Sequence, residues 1–251
     1  DESEAGRLCV LFLQDLPEIE ARMRQEKILA MGRMSAAVAH EIRNPLGAIK
    51  GAAQFLDPSA DRPESQFLKV IIEEVDRLNR VVTQFLDYSK PPALDLKPVD
   101  LSKLVEKTLD LVRLEMSLGN QIQLEFYPSR FPARVLASAE QIRQVLINLL
   151  QNAQKALENQ PAGVIRVSLG IEGEFSQSDV VIIVEDTGKG IRKDHLDKLF
   201  IPFFTTSPSG TGLGLSISQK IVEAHRGRIE VVSEEGRFTR FSVILPLLKE
   251  Q

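Results

Sequence analysis

Apolar positions recur at alternating intervals of three and four residues through Ile28, Met31, Ser35, Val38, Ile42, Pro45, Ile49, Ala52 and Leu56. The rhythm returns at Leu68, Ile71, Val75, Leu78, Val82 and Phe85. Such spacing is the seam of a coiled coil or helical bundle. The stretch Asp57–Ser65 between the two runs is rich in Asp, Pro and Ser, so the segment reads as a helical hairpin. Two seams on one hairpin need a further surface to cover them, which predicts pairing with a second copy into a four-helix bundle. Pro91-Pro92 stops the pattern and marks a domain boundary.

Beyond that boundary the texture changes. The pattern predicts a helix at about 100–117, strands near 121–127 and 133–136, and a long helix at about 138–159. Strands near 164–171 and 179–185 follow, then a short helix near 191–199, a loop, a helix near 213–225, and strands at about 228–233 and 238–246. Val180–Val184 is apolar without alternation, as in a strand covered on both faces. The expected fold class is α followed by α/β: a hairpin forming a dimeric bundle, then an α/β sandwich with helices on one side of a mixed sheet. Upstream, Arg7–Gln14 is a strand-length apolar run with no nearby partner. It reads either as the end of a truncated domain or as a ragged edge. The expected division is 1–17 for that remnant, 18–90 for the helical hairpin and 91–251 for the sandwich.

Composition removes several function classes. With 31 basic and 35 acidic residues the formal net charge is −4, and there is no basic block, so nothing marks a nucleic-acid binder. One cysteine excludes an internal disulfide or a thiolate zinc site. Trp is absent and aromatics make up 6% of the chain, too few for stacking platforms. No apolar run approaches the roughly 20 residues of a membrane span, and the first residues lack a signal-peptide pattern. The expectation is a cytoplasmic chain whose only membrane contact would come through a missing upstream segment.

Four constellations carry chemistry. His40 falls at an outward heptad position with Glu41 beside it and Arg43, Asn44 and Pro45 following. An exposed imidazole next to a carboxylate can act as a nucleophile, one ring nitrogen protonated and the other free. Gly47 and Gly51 continue the same face, although glycine in a helix costs about 1 kcal/mol relative to alanine; they read as a lane kept bare for another protein or as a tight inter-helix contact. On the long helix, Asn148, Asn152 and Lys155 form a polar stripe at i, i+4 and i+7, with neutral amide oxygens suited to phosphate-bound Mg²⁺ and an ammonium suited to phosphate. Asp186-Thr-Gly-Lys-Gly-Ile191 puts a carboxylate at a strand end before Gly188 and Gly190. Gly210-Thr211-Gly212-Leu213-Gly214 then opens a helix with exposed backbone N–H groups, after a loop holding Thr205 and Thr206.

Taken in order, these strings resemble the boxes of two-component sensor histidine kinases. His40–Leu46 is similar to the H-box, Asn148–Ala153 to the N-box, Asp186–Gly190 to the G1 box, Phe200–Phe204 to the F box and Gly210–Gly214 to the G2 box. The match spans about residues 20–248. The resemblance implies a dimerisation and phosphotransfer hairpin joined to a Bergerat-type ATP-binding domain. It implies ATP and Mg²⁺ as cofactors, and a homodimer and a response-regulator receiver domain as partners. His40 would be the phosphoacceptor, Glu41 its base, and Asn44 the residue orienting water for dephosphorylation of the regulator. Asp186 would meet adenine, Asn152 the metal, Asn148 and Lys155 metal and phosphates, and Gly188, Gly190, Thr205, Thr206, Gly210, Thr211, Gly212, Leu213 and Gly214 the rest of the nucleotide. Water-activating relatives carry Glu where this chain has Asn148, which implies binding without hydrolysis. The lid offers Thr205, Thr206 and Ser207 where many relatives place a basic residue, with Lys155 or Arg192 as substitutes. His195 and His225 match no box and read as surface fillers. A nucleotide-binding scaffold without kinase activity is the alternative function.

Overall fold

The computed structural model describes residues 42–43, 46–47, 49–51, 53, 63–89, 95–116, 122–158, 160–174, 177–207 and 210–248. The Arg7–Gln14 run, the seam before Ile42, and His40, Glu41 and Asn44 lie outside them. The chain divides into two compact units, Asp1–Pro91 and Pro92–Gln251.

In the first unit the described residues between 42 and 53 are helical (α1), and α2 spans Pro63–Ser89, with proline at the first helical position where its missing N–H costs nothing. The Arg43 guanidinium donates to Thr83 Oγ1 at 3.1 Å and Lys50 Nζ reaches Asp76 Oδ1 at 2.6 Å. Seven residues forward on α1 are seven back on α2, so the two helices run antiparallel as a hairpin. Leu46, Ala53, Val75, Leu86 and Tyr88 are buried. The seam residues Ile42, Ile49, Ile71 and Leu78 remain 40–48% exposed.

The second unit is built on a five-stranded sheet of order β2-β4-β5-β7-β6. Its strands are β2 (Ile122–Tyr127), β4 (Gly163–Glu174), β5 (Gln177–Asp186), β6 (Arg228–Glu234) and β7 (Phe238–Pro246). β2 pairs with β4 in parallel and every other pair is antiparallel, which makes the sheet mixed. Helices α3 (Leu101–Met116), α4 (Ala139–Leu157) and α6 (Gly214–Ala224) cover one face. The apolar side of α4 (Ile142, Val145, Leu146, Leu149, Leu150, Ala153 and Leu157) meets Ile165, Val167, Val180 and Ile182 from the sheet in a solvent-free core. On the opposite face Glu125, Arg166, Glu185 and Arg240 stand opposite one another on four neighbouring strands, linked at 3.0, 3.5 and 2.7 Å. Exposed pairs of this kind add little stability, but alternating sign across the sheet disfavours a register slip.

Two features depart from the expected pattern. A four-residue strand β1 (Lys97–Asp100) pairs antiparallel with β3 (Arg134–Ala137). Pro98 hid it, because proline is tolerated only on an edge such as this two-stranded ribbon. The ribbon also holds the end of the unit, where Val135 bridges Leu247 and the Leu248 N–H donates to Arg134 O at 2.7 Å. The short helix at 191–199 contracts to α5 (Lys193–Leu196); after it, Lys198, Leu199 and Ile201 each donate to the carbonyl three residues back, and Pro202 blocks any helical continuation.

Neither histidine is a surface filler. His195 is half-buried with its ring edge-on to Phe204 at 5.5 Å. His225 is buried, with Nδ1 2.7 Å from Ile221 O and Nε2 2.9 Å from the Ser138 backbone N–H. A carbonyl can only accept and an N–H only donate, so Nδ1 carries the proton and Nε2 accepts. His225 thereby satisfies the N-cap residue of α4, whose own hydroxyl makes no cap bond. No helix among the described residues is long and apolar enough to cross a membrane.

Because Leu149 lies at the centre of this core, 1% exposed, Leu149→Ala is expected to destabilise the Pro92–Gln251 unit by about 2–5 kcal/mol. A lower urea midpoint with an unchanged slope would show it.

Candidate functional site

The site is organised by one stripe of α4. Asn148, Asn152 and Ala156 are four residues apart and share a face. At one end Asn148 Nδ2 donates to Ser218 Oγ of α6 at 2.9 Å, and its carboxamide oxygen lies where a Cβ on Gly214 would have to go. At the other end the Ala156 carbonyl accepts the Lys189 N–H at 3.2 Å and packs beside Gly188. Asn152, half-buried, stands midway between the two glycine loops. Eight residues of helix span about 12 Å, a length on the scale of an extended nucleotide.

Asp186 ends β5, the strand buried between β4 and β7, and is itself only 4% exposed. Its Oδ1 accepts the Gly188 N–H at 2.9 Å. Burial pushes its carboxyl from the ordinary 3.8 up to about 6, the Gly188 hydrogen bond opposing the rise and the neighbouring Glu185 adding to it. Directly across on β7 stands Thr239, buried, a hydroxyl that strand patterning gave no reason to single out.

The second glycine loop is folded back on the segment before it. Gly212 has φ +69°, and a Cβ there would strike the backbone of Phe203. The Phe203 N–H donates to Gly212 O at 2.9 Å while Phe203 itself adopts φ 67°, a costly conformation for a bulky residue. Thr205 Oγ1 accepts the Ser207 N–H at 3.1 Å, and the Gly210 N–H donates to Ser207 O at 3.0 Å. Thr211 Oγ1 accepts from the Leu213 N–H at 3.3 Å, Leu213 is fully buried, and Gly214 begins α6. Thr206 is exposed. Arg192 forks onto Asp194 at 3.0 and 3.1 Å, which leaves exposed Lys155 as the more available cation of the two.

Of the residues singled out from sequence, the structure brings Asn148 to Gly214, Asp186 to Gly188, and Thr205 to Gly210, with Asn152 between the two loops. It also shows that Asn148 engages the protein itself through Ser218. The one available signal was the pair of hydroxyls Ser216 and Ser218 flanking Ile217 near the start of α6, both of them buried.

The described residues hold no cluster of three His, Cys, Asp or Glu able to bind a metal ion. A divalent ion here would depend on oxygens such as the Asn152 amide together with those of a ligand. The residues fit a nucleotide: a buried acceptor at one end and a glycine-rich loop opening a helix at the other.

Comparison with known proteins agrees with that arrangement. Residues 30–93 match the His Kinase A (phospho-acceptor) domain, and residues 137–249 match the histidine kinase-, DNA gyrase B- and HSP90-like ATPase family. The chain belongs to the sensor histidine kinases. It is 40% identical over 236 residues to the sensor histidine kinase ZraS of Salmonella typhimurium, covering 93% of this chain and 49% of that protein. The kinase core therefore spans about half the length of the curated relatives it matches. Among solved structures, full-length ShkA in complex with AMPPNP superposes with a TM-score of 0.68 at 27% identity, covering 87% of this chain and 46% of that one. The histidine kinase ThkA in complex with response regulator protein TrrA superposes at 0.62 with 31% identity, covering 94% of this chain and 68% of that one.

The buried carboxyl makes stability depend on pH. The folded-state value lies above the unfolded one, so the folded kinase core binds this proton more tightly. Asp186 therefore favours folding most below about pH 4 and loses that contribution as pH rises through about 6, by at most about 3 kcal/mol. Asp186→Asn should remove this part of the pH dependence of urea unfolding without nucleotide.

Proposed function

We propose that this chain transfers the γ-phosphoryl group of ATP to His40 and then to an aspartate of a response-regulator receiver domain. The observation that carries the reading is the α4 stripe with Asn152 set between two glycine loops. Asp186 would accept the adenine amine, Asn152 would hold Mg²⁺, and Gly210, Gly212 and Gly214 would surround the phosphate side with Lys155 nearby. Mg²⁺ would supply charge neutralisation on the phosphate oxygens. A free ring nitrogen of His40 attacks the γ-phosphorus in line; the N–P bond forms, the bond to the bridging oxygen breaks, and ADP leaves with the electron pair. Glu41 would accept a hydrogen bond from the N–H of the opposite ring nitrogen and offset the positive charge that the ring gains. In the second transfer the N–P bond breaks and a carboxylate oxygen of the regulator takes the phosphoryl group. With an amide at Asn148, the stripe carries no side chain that could deprotonate water. That supports a site that binds ATP and leaves attack to His40.

The partners follow from the hairpin. Ile42, Ile49, Ile71 and Leu78, exposed in the single chain, would be covered by a second copy in a four-helix bundle. Gly47 and Gly51 are exposed, with open space where a Cβ would sit, so no packing among the described residues demands glycine there. That favours the bare lane for a receiver domain over a tight inter-helix contact. Asn44 would orient water to remove the phosphoryl group from the regulator.

Incubation with γ-labelled ATP should give acid-labile label on the native chain and none on His40→Ala; label surviving that substitution would sink the kinase reading, and none on either would favour the scaffold. Asn44→Ala should keep autophosphorylation and lose regulator dephosphorylation, whereas Gly51→Arg should keep labelling of His40 and block transfer. Phosphate-transfer gels over a time course read both.

A further inference from the structure

The loop Asp186–Ile191 is held from two sides. One hold comes from the last turn of α4, through the Ala156 carbonyl described above. The other comes from the β6–β7 hairpin, which no sequence motif marks. Ser233 Oγ accepts the Ile191 N–H at 2.9 Å. The same oxygen lies 2.7 Å from Phe238 O and 3.1 Å from Thr239 Oγ1. One hydroxyl thus ties the end of the loop to both strands of the hairpin, its proton going to Phe238 O and its lone pairs remaining for Ile191. One turn away the Gly236 N–H donates to Lys189 O at 2.7 Å. Between these two bonds Gly190 adopts φ +64° and lies so close to the Glu234 carbonyl that no Cβ could be accommodated.

We propose that the β6–β7 hairpin is part of the nucleotide-binding apparatus, with Ser233 a positioning residue that fixes the Asp186–Ile191 loop in its binding conformation and so sets affinity for ATP. The inference rests on the reading of this loop as an ATP site. Its physical basis is preorganisation. A loop carrying glycines at 188 and 190 has many conformations to lose on binding, and contacts already made in the free protein reduce that loss. Without the Ser233 hydroxyl, the half-buried Ile191 N–H loses its partner and the loop retains only the Gly236 bond on that side. Ser233 sits on β6, two strands from Asp186 in the sheet order, and reaches the loop through Ile191 and not through the α4 stripe. Its effect should therefore fall on binding, leaving the phosphoryl-transfer step at saturating ATP unchanged.

The test compares three variants of the full chain by calorimetric titration with Mg²⁺·ATP, at a temperature well below the unfolding of each. Ser233→Ala should weaken ATP binding about tenfold and raise KM by a similar factor with kcat within about twofold. Ser233→Thr, which keeps the hydroxyl and suits a strand, should bind within about twofold of native. Thr108→Ala removes a buried hydroxyl on α3 that donates to Leu104 O at 2.7 Å, with no connection to the loop, and should bind as native does. Native-like affinity in Ser233→Ala, or equal weakening in Thr108→Ala, would overturn the inference while leaving the ATP site standing. No ATP binding by the native chain would remove the ATP reading and the inference with it.

Discussion

Everything in the Pro92–Gln251 unit depends on the burial of one face of α4 against the sheet. Seven apolar side chains of that helix are buried, and they fix both its height and its rotation. The rotation is what matters chemically. With the apolar face locked, Asn148, Asn152 and Ala156 must emerge along a single line at the border between core and solvent. The two ends of that line then meet different glycine loops, Asn148 at Gly214 and Ala156 at Gly188, so the helix sets the distance between the loops.

The polar contacts around α4 refine that placement at its N-terminus and at its middle. His225 closes the N-terminus by accepting from Ser138, and Asn148 grips α6 through Ser218. α4 and α6 are thereby pinned at two separated points, the second directly behind Gly214. The glycine loop before α6 is thus rooted in register with Asn148. The conformational cost at Phe203 falls beside that loop, where Gly212 takes its own positive φ without strain.

Much of this was legible in the sequence, for specific reasons. The long helix and the hairpin announced themselves because hydrophobic period reports burial directly, whereas the unbroken apolar run of β5 overstated its cover: helices pack on one face only, and Ile183 on the other is half-buried. The order of the boxes identified the family, since glycine and asparagine at fixed spacings reflect backbone approach and amide chemistry. What stayed hidden depends on tertiary pairing. Strand β1 is too short and carries proline. The roles of Ser233, Ser218 and Thr239 exist only because the topology sets β6, β7 and α6 beside loops distant in sequence. His225 was misjudged because a histidine on an apolar helix gives no hint of the backbone group it will cap. The helix at 191–199 was overlong because charge pattern and propensity could not register Pro202 ending it in tight turns.

The small ribbon of β1 and β3 has an architectural consequence. Its first strand receives the chain as it enters the unit, and its second holds Leu247 and Leu248 where the described chain ends. Entry and exit thus share one corner, with β3 between them. A fold closed in this way behaves as an insertable cassette: its ends could be joined and reopened in a distant surface turn without disturbing the sheet. A sequence fused after it would emerge beside the incoming connection. Modules with that geometry can be recombined behind different inputs with little structural penalty.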